Sequence, residues 1–137
     1  MAVERPQRSL ADIVAPLEVT LASRGLDFAR PALHRRHELA CDWKTYAENY
    51  LEGYHIAAVH PRLAEELGDA RYVVCVEDQV VFQEAEGVND GPQAGVWGWL
   101  WPNLGINVYR DGAMIERMTP TGPGRVRLDY LLSLIHI

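Results

Sequence analysis

The segment from Asp42 to Leu63, DWKTYAENYLEGYHIAAVHPRL, constrains the fold and function of this chain more than any other stretch. It combines three tyrosines, a tryptophan, two glutamates, an asparagine and two histidines. A helix that only covers a core needs apolar residues, and it has no need for so many polar and titratable side chains. We therefore treat this segment as the candidate functional segment.

The segment begins like an amphipathic helix. Asp42 is a suitable N-cap, because its carboxylate can accept a hydrogen bond from the backbone N–H of Lys44 or Thr45. An apolar stripe with helical spacing then follows: Trp43, Tyr46, Ala47, Tyr50, Leu51 and Tyr54. The pattern predicts that this face of the helix packs on a core.

A second face of the same helix carries Glu48, Glu52 and His55, so that carboxylates precede an imidazole by one and two turns. His60 follows His55 by five residues, and on an ideal helix their side chains diverge by roughly 140°. The residue before a proline is disfavoured in the α conformation. Pro61 therefore predicts that the helix ends or loosens near Val59 or His60, which allows the two imidazoles to approach each other.

Two adjacent imidazoles suit a metal ion. The spacing alone does not distinguish a metal site from two ordinary core or surface histidines, because zinc motifs use other spacings.

A resemblance to a known family rests on three motifs in order: Asp42–Trp43–Lys44, then Glu48–Asn49–Tyr50–Leu51–Glu52–Gly53–Tyr54–His55, then His60–Pro61. These motifs resemble the mononuclear-iron segment of the Rieske non-heme iron oxygenases, which include the ring-hydroxylating oxygenase large subunits. Weaker similarity continues at Trp101–Leu104 and Pro120–Arg125, so that the resemblance covers about residues 10–132.

The resemblance implies roles for four residues. His55 and His60 correspond to two ligands of a ferrous site made of two histidines and one carboxylate. Glu52 corresponds to the acid that orients His55 and links the iron to the Rieske cluster of a neighbouring subunit. Asn49 corresponds to a position close to the iron. Asp42 replaces the family's usual asparagine, and both residues cap helices.

The resemblance also implies the activity of the intact protein. It would activate O₂ at mononuclear Fe(II) and hydroxylate or oxidatively demethylate a small organic substrate, as a mono- or dioxygenase. Electrons would come from a reductase or ferredoxin through a [2Fe-2S] Rieske cluster, within a homotrimer. A Rieske cluster needs Cys-x-His and Cys-x-x-His pairs, and neither Cys41 nor Cys75 begins such a pair. We expect no cluster domain in this chain.

In the family, the carboxylate ligand follows the sheet on a later helix. The present sequence stops at Leu134–Ile137, so we expect an incomplete catalytic domain at 10–137. Residues 1–9 are expected to form a polar arm. The fragment alone is expected to be inactive. Glu116 and Asp129, on predicted strands, are remote candidates for a substitute ligand, and no residue is assigned as the third ligand.

Around this segment, the patterns predict short helices that are interrupted at Pro16 and stop at Gly25, and a helix that ends at Gly68. Predicted strands cover 31–41, 72–76, 80–83, 106–109, 113–118 and 126–132, with a loop at 87–95 and turns at 110–112 and 119–124. This is an α+β fold, an antiparallel sheet with a helix across it, which the resemblance identifies as a helix-grip fold. Trp97, Trp99 and Trp101 alternate along a further predicted strand, and we expect their indoles on one side of the sheet.

Composition narrows the function classes. The formal net charge of −6 argues against a nucleic-acid binder. Two cysteines are too few for a disulfide framework, which favours a cytoplasmic protein. No apolar run approaches the roughly 18 residues of a membrane span, and the first residues lack the apolar core of a signal peptide.

Two alternative functions remain. The first is a non-catalytic helix-grip module whose tyrosines and tryptophans line a ligand cavity, and the second is a zinc hydrolase. A zinc hydrolase is disfavoured because the HExxH spacing is absent. His34 and His37 point to opposite faces of their predicted strand, which favours surface or structural roles for both.

Overall fold

The computed structural model of the protein describes residues 8–23, 33–68, 71–86, 95–109 and 112–134. The helices are α1 (Leu10–Ser23), α2 (Trp43–Leu51), α3 (Tyr54–Val59) and α4 (Pro61–Leu67). The strands are β1 (Leu33–Leu39), β2 (Arg71–Glu77), β3 (Val80–Glu86), β4 (Val96–Leu100), β5 (Leu104–Val108), β6 (Gly112–Gly122) and β7 (Arg125–Leu134). This is the predicted α+β architecture.

All seven strands lie in one antiparallel sheet with the order β1-β7-β6-β5-β4-β3-β2. Strands β2 to β7 form a meander, in which the β2–β3 turn places Asp78 at a φ of 53°. A two-residue hairpin turn of this kind favours residues that tolerate positive φ, and aspartate is one of them. Because β1 pairs with β7 at the sheet edge, α2 leaves from that edge and crosses the strands toward β3.

Helix α1 covers one face of the sheet, which we call the α1 face. Its Leu17 is buried against apolar strand residues, namely Val80, Val96, Leu100, Ile106, Val108 and Ala113. Gly98 allows this contact, because a Cβ there would lie 2.9 Å from Leu17 Cδ2. The helix runs through Pro16 without interruption, contrary to the sequence expectation. Ile13, Val14 and Leu17, on both sides of the proline, pack on the same core and hold the two halves in line.

Helix α2 covers the opposite face, which we call the α2 face. Ala47 is buried there with Trp99, Met118, Val126 and Leu128. The Tyr50 ring lies directly on β5, where a Cβ on Gly105 would be 3.0 Å from the ring. The predicted apolar stripe is therefore confirmed as far as Leu51, which is the last residue of α2.

Three further details of the sequence prediction were wrong. Tyr54 is 88% exposed, because the helix breaks before it and the stripe does not continue. Trp101 lies in the turn after β4, where it contacts Trp43 and is 59% exposed, so only Trp97 and Trp99 share the strand face. Strand β6 continues through Gly122, which reduces the predicted turn at 119–124 to residues 123 and 124.

Some predicted features lie outside the described residues. These are the arm at 1–7, the helix stop at Gly25, the loop at 87–94 and the turn residues 110 and 111. Among the described helices, none is both long and apolar enough to cross a membrane.

Candidate metal centre

Helix α2 starts as the sequence predicts. The side chain of Asp42 accepts a hydrogen bond from the backbone N–H of Lys44 at 2.9 Å. This bond satisfies one of the free amide groups in the first turn. The cap fixes where the helix begins, directly after the edge strand.

Buried polar side chains on three strands meet α2 as it crosses the sheet. Tyr46 donates a 2.6 Å hydrogen bond to Glu116 on β6, and Tyr50 donates a 2.5 Å bond to Asn107 on β5. At the end of the helix, Gln83 on β3 donates to the backbone carbonyl of Leu51 at 3.2 Å. Such directional bonds fix the rotation and the axial position of the helix, which apolar packing alone leaves adjustable.

Both partners of the Tyr46–Glu116 hydrogen bond have a raised pKa. Burial raises the pKa of this carboxyl group, and hydrogen bonds from Tyr46 and Tyr130 offset only part of that effect. Burial and the bond to Glu116 also raise the pKa of Tyr46. No ion pair involving Glu116 is present among the described residues.

The helix breaks at Glu52, whose backbone is extended with φ −101° and ψ 152°. The Glu52 carboxylate turns toward the next helix and accepts the backbone N–H groups of Tyr54 at 2.5 Å and His55 at 3.3 Å. A carboxylate at this position satisfies free amides in the first turn of α3. Glu52 therefore ends one helix and caps the next.

The same carboxylate holds the ring of His55. Glu52 Oε1 lies 2.6 Å from His55 Nδ1. Burial raises the pKa of Glu52, but the hydrogen bonds from the His55 ring and from the Tyr54 and His55 amides outweigh it, and the pKa lies below its usual value. An Nδ1–H donated to an ionised carboxylate leaves Nε2 as the free nitrogen of the ring.

His60 occupies a second break, between α3 and α4. Its φ of −121° and ψ of 64° are not helical, and Pro61 occupies the first position of α4. This is the predicted end of the helix before the proline. The break brings the rings together, with centroids 5.2 Å apart and planes at 78°.

The spacing of the two rings fits a shared metal ion. Imidazole nitrogens bind a transition metal at about 2.1 Å, which places two coordinating rings on one ion with centroids roughly 5 Å apart. Imidazoles also belong to the donor set of ferrous sites that have two histidines and one carboxylate. The pair therefore fits as two of the ligands of such a site.

Among the described residues, no group of three or more His, Cys, Asp or Glu side chains could hold a metal ion. Glu116 is engaged with Tyr46 under α2. Asp129 lies on the α1 side of the sheet, where it binds Arg36, Arg117 and Arg127. Neither strand carboxylate belongs to the lining of the histidine cavity.

A cavity of about 180 Å³ opens beside the two imidazoles. Asn49 lines it, as do Glu52, His55 and His60, so the four residues singled out from the sequence lie around one space. Glu48, which shares the predicted helix face of Glu52 and His55, is exposed and lies outside this lining.

An aromatic row borders the cavity. The ring centroids of Trp97 and Tyr72 are 6.5 Å apart, and those of Trp97 and Tyr109 are 6.3 Å apart. Trp97 Nε1 donates to the Tyr109 hydroxyl at 3.3 Å. Trp97 and Tyr72 belong to the lining, so two aromatic rings form part of the cavity wall.

Sequence reasoning missed Gln83 and Asn107, which are buried polar residues of the cavity floor. Each of them lies in a strand that is otherwise largely apolar, VVFQEAE for β3 and LGINV for β5. A polar residue on the core side of such a strand is the signal that could have identified them.

Comparison with known proteins finds similar oxygenases. The model of the ring hydroxylating alpha subunit (catalytic domain) matches residues 26–87. The chloroplastic choline monooxygenase of Arabidopsis thaliana is 27% identical, over 82% of this chain and 30% of that protein. The putrescine 2-hydroxylase of Ralstonia nicotianae is 29% identical, over 77% of this chain and 36% of that protein.

The fold has relatives among solved structures. The quaternary ammonium Rieske monooxygenase CntA in complex with L-carnitine superposes with a TM-score of 0.77 at 18% identity, over 94% of this chain and 36% of that chain. This chain thus spans about a third of the length of the proteins it matches. In sequence, the chain is similar to the catalytic domain of ring-hydroxylating oxygenase alpha subunits and to these two curated relatives, and in fold it is similar to a Rieske monooxygenase.

Proposed function

We propose that this chain supplies the two histidine ligands, His55 and His60, of a mononuclear Fe(II) centre in a Rieske oxygenase. The observation that carries the proposal is the convergence of two imidazoles at successive helix breaks, with a carboxylate on the first ring. Ordinary surface histidines have no reason to share such an arrangement. Iron bound there would activate O₂ for hydroxylation or oxidative demethylation of a small organic substrate.

Each residue of the centre has a separate task in this proposal. His55 binds the metal through Nε2, because Nδ1 is held by Glu52. Glu52 fixes the ring tautomer and orientation, as carboxylates do for metal-binding histidines. His60 offers its ring from the cavity side, and Asn49 offers a polar group at the cavity wall. The third, carboxylate ligand is expected outside the described residues.

We further propose that the substrate carries a positively charged nitrogen. The matched proteins are named for choline, putrescine and quaternary ammonium compounds. The row of Tyr72, Trp97 and Tyr109 offers the aromatic faces that attract such cations. The described lining contains the carboxylate of Glu52 and no lysine or arginine.

The activity of the whole protein belongs to the proposal as well, because this chain spans only part of its relatives. Residues 10–137 would form one section of the catalytic domain, preceded by a polar arm at 1–9. Electrons would arrive from a reductase or ferredoxin through a [2Fe-2S] cluster that other residues bind. A homotrimer and a cytoplasmic location are the expected setting.

Anaerobic titration of the chain with Fe(II), and with Co(II) as a spectroscopic substitute, tests the metal centre. We expect His55→Ala and His60→Ala to weaken binding by about tenfold or more, comparable to or beyond the effects of losing groups that orient ligands. His34→Ala and His37→Ala are the matched controls, because both histidines lie on the exposed edge strand β1.

Equal affinity in His55→Ala and in the wild type would remove the metal centre from the proposal. If quaternary ammonium compounds still quenched tryptophan fluorescence in that case, and Trp97→Leu abolished the quenching, the non-catalytic ligand-binding alternative would be favoured.

A further inference from the structure

Gln83 is among the most deeply buried polar side chains of the described residues, at 2% exposure. It points from β3 toward the α2 face, directly under the break between α2 and α3. Its strand neighbours on the opposite face, Phe82 and Glu84, are part of the surroundings of α1. An amide in this position needs partners for its oxygen and its nitrogen, or it destabilises the fold.

Both ends of the Gln83 amide have partners. Nε2 donates to the Leu51 carbonyl at 3.2 Å, and Oε1 accepts from the Tyr72 hydroxyl. The carbonyls in the last turn of a helix have no partner within the helix. The side chain of Gln83 therefore binds the sheet to the last residue of α2.

The bond to Leu51 lies one residue before Glu52. The Glu52 carboxylate contacts the two residues at the start of the next helix. It accepts hydrogen bonds from the Tyr54 amide at 2.5 Å and from the His55 ring at 2.6 Å. The position of Leu51 thus determines where Glu52 leaves the helix. That position in turn determines where the carboxylate meets His55.

We infer that Gln83 is a positioning residue for the Glu52–His55 pair, which it controls through the Leu51 carbonyl. The inference deepens the proposed function, because it assigns a strand residue to the orientation of the proposed metal-binding ring. It does not require Gln83 to touch the metal. Tyr72, on the far side of the amide, holds the oxygen of Gln83 and leaves the nitrogen free for Leu51.

The alternative is that Gln83 only satisfies a buried carbonyl. Both roles lower stability when Gln83 is replaced, so stability does not separate them. The ring of His55 separates them, because an Nδ1–H held by a carboxylate is protected from exchange with water and gives a resolved proton resonance, whereas an unheld one is broadened.

The experiment uses the full chain without metal, followed by a Co(II) titration. Gln83→Met keeps the side-chain length without polar atoms, and Gln83→Asn keeps an amide that is one methylene too short to reach Leu51. We expect both variants to lose the His55 Nδ1–H resonance, which is assigned by its absence in His55→Ala, and to bind Co(II) at least fivefold more weakly. Circular dichroism and the melting temperature establish that each variant is folded.

Ser133→Ala serves as the control. It removes a buried polar side chain from the α1 side of the sheet, and we expect it to change stability without changing the resonance or the Co(II) affinity.

The inference is overturned if either folded Gln83 variant keeps the resonance, whether or not its Co(II) affinity falls. It is also overturned if the wild type shows no such resonance, because the Glu52–His55 bond is then absent. Loss of the resonance in the Gln83 variants, in a chain whose wild type binds no Co(II), supports the positioning role and contradicts the proposed metal centre. The experiment can therefore overturn the positioning role of Gln83 or the metal centre without overturning the other.

Discussion

The two helices pack on the sheet in different ways. On the α1 face, Leu17 contacts apolar strand residues through a gap that Gly98 leaves open. On the α2 face, the buried strand residues include Gln83, Asn107 and Glu116, and each has a partner in α2. Apolar contact supplies stability without direction, whereas buried hydrogen bonds specify one position. The precisely placed helix is the one that leads into the candidate metal centre.

The contrast extends to two carboxyl groups on adjacent strands. Glu116 pairs with Tyr130, and Arg117 pairs with Asp129, so the two acids project from opposite sides of the β6–β7 pair. Burial raises the pKa of Glu116. A hydrogen bond from Arg36, with further bonds from Arg117 and His34, lowers the pKa of Asp129. The surroundings therefore favour the protonated form of Glu116 and the ionised form of Asp129.

The largest effect is expected on the α1 face. Leu17→Ala should lower the free energy of unfolding by about 2–5 kcal/mol, because it opens a cavity in a packed core. Co(II) affinity of the folded protein should stay unchanged, since no α1 residue lines the histidine cavity. Urea denaturation and Co(II) titration measure the two quantities.

Leu10→Ala is the matched control, because Leu10 lies in the same helix and is 72% exposed. It should change stability by no more than about 0.5 kcal/mol. A Leu17→Ala protein that folds but loses Co(II) affinity would show that the two faces are not independent.

A smaller effect is expected from the polar contact between α2 and β6. Tyr46→Phe leaves the buried Glu116 carboxyl without one of its donors, which should cost about 1–3 kcal/mol. Tyr54→Phe removes the same hydroxyl from an 88% exposed ring and should have no measurable effect. Thermal unfolding compares the pair, and equal melting temperatures would mean that the Tyr46–Glu116 bond contributes nothing.

The two carboxyl groups predict opposite dependences of stability on pH. Folding raises the pKa of Glu116 above its ordinary 4.5. Between pH 4.5 and the folded pKa, the folded state therefore holds a proton that the unfolded state has lost. The stability from Glu116 is therefore fully present below about pH 4.5 and is lost as the pH rises through the folded pKa. For Asp129 the folded pKa lies below 3.8, so its contribution is present above pH 3.8 and is lost as the pH falls.

Differences between the wild type and single variants isolate each contribution. With Glu116→Gln, the difference in unfolding free energy should move in favour of the variant as the pH rises above 4.5. With Asp129→Asn, it should move in favour of the variant as the pH falls below 3.8. The same sign of slope for both variants would contradict the assignment of the two environments.

The smallest effect is expected for an exposed arginine next to Asp129. Arg117→Ala removes a 58% exposed side chain whose nitrogen lies 3.4 Å from Asp129, and two other arginines remain on that carboxylate. Such a pair is worth about 0–1 kcal/mol. Chemical denaturation in low and high salt measures it, and a loss as large as that of Tyr46→Phe would remove the contrast between the faces.

Much of this architecture is predictable from local patterns. The cap at Asp42 and the break at His60 follow from rules for helix ends, and both are confirmed. The break at Glu52 was not predicted, because the apolar spacing continues to Tyr54 and no proline interrupts it. At that break, the Glu52 carboxylate accepts the Tyr54 amide, and Gln83, which is distant in sequence, donates to the Leu51 carbonyl. Local patterns contain no information about such a contact.

The candidate site also combines residues that the sequence predicted with residues that it did not. The family motifs led to Asn49, Glu52, His55 and His60, and the cavity includes all four. Gln83 and Asn107 come from strands whose partners are set only when the sheet assembles. Pro16 is the reverse case, since a local rule predicted an interruption that packing of α1 on the sheet prevents.

A crystal structure of the chain soaked anaerobically with Co(II), with the metal located by its anomalous scattering, tests whether His55 and His60 bind one ion. We expect one strong peak about 2.1 Å from His55 Nε2 and from a ring nitrogen of His60, with Glu52 still on His55 Nδ1. A peak that contacts only one of these rings, or a metal bound through His55 Nδ1 with Glu52 displaced, would contradict this expectation.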